Sequence, residues 1–193
     1  AVINFMAWCF GKVPDSEFIH ISYSATLAAN NAFQTRNLVQ EMAFKNVFPD
    51  FVLRDDSKAK DDWRTAKGGV CYSQGTGGTI TGFGAGKFRD SFGGAIIIDD
   101  PHKASEATSS TIRKNVIDWF QNTLESRTNS PNTPIIVIMQ RLHEEDLAGW
   151  LLGGGNGEDW EHICLSAIQP DGSALWPEKH DIERLRIMEE TSP

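Results

Sequence analysis

The chain has 193 residues, 40% of them hydrophobic and 23% charged, which is the make-up of one globular domain with a sizeable apolar core. Its net charge of −8 excludes a wholesale electrostatic grip on nucleic acid and leaves room only for a local basic patch. Cys9, Cys71 and Cys164 are far apart and match no zinc or redox spacing, so buried thiols in a reducing compartment are expected, with no disulfide.

The opening stretch, residues 1–10, has neither the basic flank nor the cleavage site of a signal peptide, and it is too short to span a bilayer. Val2, Phe5, Met6 and Cys9 recur at the three-and-four spacing of a helix packed on a sheet, closed by Gly11 and Pro14. Phe18 to Tyr23 reads as a short strand. Ser24 can cap a helix running to about Asn46, with Leu38, Val39, Met42 and Ala43 on one face. From Phe51 to about Tyr72, short charged alternating pieces predict one or two antiparallel strands, a small insertion near residues 51–75. The glycines between Gly75 and Gly86 predict a loop with sharp turns or a close backbone approach. They make no P-loop, because no Lys-Ser or Lys-Thr pair follows them, and no dinucleotide fingerprint, because no βαβ unit surrounds them.

The run Gly93-Gly94-Ala95-Ile96-Ile97-Ile98 has the unbroken apolar character of a parallel strand buried on both faces, and it stops at Asp99-Asp100-Pro101. In an open α/β sheet the carboxyl ends of the strands are where ligands bind. Two acids there suggest a Mg²⁺-phosphate site of the Walker B kind, in which Asp99 holds the metal and Asp100 orients or deprotonates the attacking water. The plainer reading is a turn cap ahead of Pro101. Ser109 or Ser110 can start a crossover helix to about Arg127, with Ile112, Val116, Trp119, Phe120, Thr123 and Leu124 inward. Ile135 to Met139 is a second apolar strand. If it neighbours the first, Gln140 and Arg141 share a rim with Asp99 and Asp100. Glu144 to Leu152 reads as a helix, with His143 and Asp146 as helix-start hydrogen bonders rather than metal ligands. His162 to Leu165 reads as a last strand, and Ile182 to Glu190 as a further helix.

Four blocks in order carry a resemblance: Gly77-Gly78-Thr79-Ile80-Thr81-Gly82, Ile96 to Lys103, Val137 to Gly149 with its Gln-Arg-Leu-His-x-x-Asp-Leu-x-Gly core, and Leu175-Trp176-Pro177-Glu178. Together they resemble the ATPase domain of the large terminase subunit of tailed bacteriophages. The resemblance implies an α/β three-layer P-loop NTPase-like fold of the additional-strand class, with a mostly parallel sheet and helices on both faces. It implies ATP and Mg²⁺ as cofactors, Asp99 as the Walker B metal acid, Asp100 as the catalytic acid (more often Glu in this class), and Gln140 and Arg141 in the segment that couples nucleotide state to motion. The implied partners are double-stranded viral DNA, the portal protein, the small terminase subunit and further copies of the motor, at the procapsid in the host bacterial cytoplasm and not in a membrane. On this reading residues 1–178 are a partial ATPase domain and 179–193 begin a linker to a nuclease domain, while the Walker A loop lies ahead of Ala1. A remnant acting only as an interaction piece, or another P-loop ATPase such as a helicase-like protein, are the alternatives.

Overall fold

In a computed structural model that describes residues 1–57 and 59–191, five strands form one sheet. They are β1 (Glu17–Ser22), β2 (Asp62–Arg64), β3 (Val70–Gly75), β4 (Gly94–Asp99) and β5 (Ile135–Ile138), in the spatial order β2-β3-β1-β4-β5. β1 pairs in parallel with β3 on one side and β4 on the other, and β4 pairs in parallel with β5; only β2 runs antiparallel, against β3. The architecture is therefore α/β with a mixed, mostly parallel sheet. The predicted antiparallel insertion is half right: β2 and β3 do form a hairpin, but β3 is also a neighbour of the central strand and belongs to the main sheet.

Helices α1 (Val2–Lys12) and α2 (Ala25–Leu38) cover one face. Their inward residues, among them Met6, Phe10 and Ala32, join Phe18, Trp63, Cys71, Ala95 and Ile97 in one apolar cluster. Phe10 sits at its centre, its ring 5.0 Å from Phe18 and 4.9 Å from Trp63, whose indole N–H donates to the Ala32 carbonyl at 3.0 Å. Strand side chains alternate between faces, so Ile19, Ile21, Ile96 and Ile98, all 0% exposed, point the other way. The buried residues left to cover them include Phe120 and Leu124, which follow α4 (Ser110–Trp119), and Leu147 and Leu151 of α5 (Leu147–Leu152).

Several boundaries move from their predicted places. The long helix expected to Asn46 breaks after Leu38 and resumes as α3 (Met42–Val47), which leaves Met42 70% exposed rather than on an inward face. Ser24 caps α2 and Ser109 caps α4, as their positions suggest, but α4 ends in a wide π turn, Phe120–Leu124, and a short 3₁₀ turn, Glu125–Arg127. β5 is apolar yet not buried on both faces: it is the last strand of the sheet, and Ile138 is 37% exposed. Gly94 shows why β4 opens with glycine. Its φ is 130°, and a Cβ there would stand 2.0 Å from the Glu17 carbonyl oxygen.

The unit just described is Ala1–Glu158, and a second begins at Asp159. Within the second, the strand predicted at His162 to Leu165 does not form; Ile163 and Leu165 are each 75% exposed. An isolated bridge joins Ile168 to Ala174, and α6 (Ile182–Thr191) forms as expected, with the Asp181 carboxylate accepting from the Arg184 N–H at 2.8 Å. No helix among the described residues is long and apolar enough to cross a membrane.

Candidate functional site

Successive strands β1 and β3 lie on one side, and the chain then returns to the far side of β1 to lay down β4. The loop after β1 leads to α2 on one face, and the loop after β4 leads to α4, on the other. Loops that diverge in this way leave a crevice at the carboxyl ends of β1 and β4, the usual ligand position in a sheet of this kind. Asp99 ends β4 at that crevice, in register with Ser22 at the end of β1. A cleft of about 380 Å³ at this rim is lined by Tyr23 after β1, Thr76 and Gly77 after β3, Pro101 to Lys103 after β4, and Ile112, Asn115 and Val116 of α4; Asp99 and Asp100 are not among its lining residues. A hollow of about 500 Å³ between Val39 and Leu53 lies at the far end of α2, about 20 Å of helix away, and brings no acids together.

Asp99 is half-buried and Asp100 is exposed. Burial, then the charge of Asp100, pushes the Asp99 carboxyl above its usual range. Neither acid is in an ion pair among the described residues. Asp100 has φ 49°, the one non-glycine residue with positive φ among the described residues. Its backbone is pinned there, the N–H donating to Ile138 at 2.8 Å and the carbonyl accepting from Tyr23 at 3.0 Å. Left-handed backbone at a side-chain-bearing residue costs about 1–2 kcal/mol and gathers at functional sites.

Behind Asp99 lies a polar group that the sequence reading did not single out. Asn31 of α2 donates from its side-chain nitrogen to Asp99 Oδ2 and lies the same 3.3 Å from His20 Nε2. His20, in mid-β1, is 0% exposed, and burial pushes its pKa down to about 4, so the ring is neutral; its Nδ1 has no hydrogen-bond partner among the described residues. Ser22 is also fully buried, and its hydroxyl has no hydrogen-bond partner among the described residues. One signal was present in the sequence: a lone histidine inside Phe18-Ile19-His20-Ile21, a run otherwise apolar.

β5 does neighbour β4, so Gln140 and Arg141 leave the sheet at the same rim as the two acids. Gln140 is exposed. Arg141 turns to Asp146, its Nε 3.2 Å from the carboxylate, and toward the Glu144 carbonyl at 3.3 Å. Asp146 is 0% exposed and accepts from the backbone N–H groups of Leu142, His143 and Gly149 at 2.9, 3.2 and 2.8 Å. It caps α5, which consequently starts at Leu147 and not at Glu144; His143 Nδ1 accepts from the Glu145 N–H at 3.0 Å, the helix-start role expected of both. The loops after β4 and β5 are tied together through His102, whose buried Nε2 accepts from the Leu147 N–H at 3.0 Å. Among the described residues no group of three or more His, Cys, Asp or Glu is placed to hold a metal.

Compared with known proteins, the chain matches no family model and no curated relative.

Proposed function

We propose that this chain is part of the ATP-hydrolysing motor of a tailed-bacteriophage terminase large subunit, supplying the metal acid, the catalytic acid and the coupling segment for viral DNA packaging. The observation that carries the reading is Asp99-Asp100 at the carboxyl end of a parallel strand, at the rim where the sheet's connections diverge. The order of the four sequence blocks supports the choice of terminase among nucleotide-hydrolysing proteins.

The surroundings suit a hard cation held with phosphate. Asp99 has no cationic partner among the described residues, and Ser22 offers an unpartnered hydroxyl in register with it. Bound Mg²⁺ would neutralise charge on the phosphates of ATP. Asp99 would hold that cation, and its carboxyl, raised by burial and by Asp100, gains from a positive neighbour. Asp100 would accept a proton from, or orient, the attacking water; its pinned backbone sets where the short side chain can point. Arg141, engaged with Asp146, would act on the nucleotide only by leaving that carboxylate.

The test is Mg²⁺-dependent ATP hydrolysis by the polypeptide that carries these residues. Asp99→Ala should abolish turnover, and Asp100→Asn should leave ATP bound and uncleaved. Normal turnover by Asp100→Asn would remove that residue from the mechanism, and nucleotide binding indifferent to Mg²⁺ would remove the reading as a whole.

A further inference from the structure

We propose that Asn31 is a positioning residue for Asp99, held in place by the buried imidazole of His20, so that the orientation of the cation-binding carboxylate is set from α2 and β1 as well as from its own strand. The inference rests on the reading of Asp99 as the cation acid.

The geometry brings the three groups together. Register places His20 beside Ile97 and Ser22 beside Asp99, so His20 and Asp99 point to the same face of the sheet, the one that α2 covers. Asn31 reaches down between them, and its side-chain nitrogen is 3.3 Å from both His20 Nε2 and Asp99 Oδ2. An amide nitrogen has two hydrogens and accepts nothing, so it satisfies both contacts only if Nε2 offers a lone pair and Oδ2 is an acceptor. With the amide nitrogen on both contacts, Nε2 is the unprotonated ring nitrogen and the proton sits on Nδ1, which has no hydrogen-bond partner among the described residues. An amide turned the other way would set its oxygen against the Asp99 carboxylate. One carboxylate oxygen of Asp99 thereby accepts from Asn31, and the other has no hydrogen-bond partner among the described residues and is left for a ligand. Groups that orient a metal ligand in this way are worth about 10- to 100-fold in metal affinity.

The experiment uses Mn²⁺ alone as the probe, its binding to the 193-residue chain followed by electron paramagnetic resonance. Asn31→Ala and Asn31→Leu, one smaller and one of similar volume, should each weaken Mn²⁺ binding about tenfold or more, with thermal unfolding recorded in parallel. His20→Leu, which removes the acceptor that orients the amide, should weaken it in the same direction but less. A purely structural Asn31 would lower the unfolding temperature and leave Mn²⁺ affinity within about twofold of wild type, and that result overturns the inference. A measurement on the unaltered chain does not depend on any variant folding: Mg²⁺ titration should shift the Asn31 side-chain amide resonances in ¹⁵N NMR saturably, and amide resonances that stay still while the cation binds overturn the inference too. Wild-type protein that takes up no cation refutes the reading of Asp99 itself, whereas wild-type binding that survives in the Asn31 variants refutes the positioning role alone.

Discussion

Acidification should unfold this protein through His20. The side chain is fully buried on β1, and burial holds its pKa at about 4 against an ordinary 6.5. A histidine whose folded pKa is depressed contributes stability that is complete above the unfolded value; it is lost as pH falls from about 6.5 to about 4, because over that range the unfolded chain binds the proton and the folded chain does not. A gap of about 2.5 units corresponds to roughly 3 kcal/mol once both states are protonated. By about pH 4.5 some 2.5 kcal/mol of it should already be gone, a large part of an ordinary domain's stability. The assay is urea unfolding from pH 7 to 4.5, comparing wild type with His20→Gln, which keeps a neutral side chain able to accept from Asn31. His102, also depressed by burial, and the carboxylates are common to both proteins, so the difference between the two curves isolates His20. Parallel loss of stability in the two proteins, or an NMR titration of His20 near its ordinary value, would refute the reasoning.

Asp99→Asn should raise the unfolding temperature at neutral pH in the absence of divalent cation, since a carboxyl raised by burial and a neighbouring acid contributes stability only below its unfolded pKa and loses it as pH rises; the gain should vanish in acid, and a destabilised variant at pH 7 would contradict it. Asp146→Ala should cost about 2–4 kcal/mol, because it removes the cap of α5 and orphans three backbone donors, while Arg141→Ala, with a side chain 45% exposed, should cost less than about 1 kcal/mol; equal losses in chemical denaturation would mean that the ion pair and not the caps holds this loop. Asp100→Gly should stabilise or be neutral within about 1 kcal/mol by relieving the left-handed backbone, and Asp100→Val should destabilise by more than that. Gly94→Ala should prevent folding at ambient temperature, read as loss of the cooperative transition, because Cβ would meet the Glu17 carbonyl.

Local pattern was enough to find α1, β1, β4, β5 and the capped starts of α2 and α4, because three-and-four spacing, unbroken apolar runs and Ser caps are properties of neighbouring residues. It also placed Asp99 and Asp100 at a strand's carboxyl end, since a run of isoleucines closed by two acids and a proline has few other readings. The extent of burial was another matter. Ile135–Ile138 and Ile96–Ile98 look alike in sequence, yet one strand ends the sheet and the other is enclosed, because exposure depends on which strands lie alongside. His162 to Leu165 is apolar enough for a strand and forms none, having no partner strand among the described residues. The His20–Asn31–Asp99 group spans β1, α2 and β4 and was invisible for the same reason: hydrogen bonds between residues 11 and 68 positions apart exist only once the register of β1 against β4 and the seat of α2 above them are set. Arg141 shows the limit from the other side. Its place at the rim followed from strand order, but its partner, Asp146, was chosen by a buried carboxylate that three backbone N–H groups had already fixed within reach.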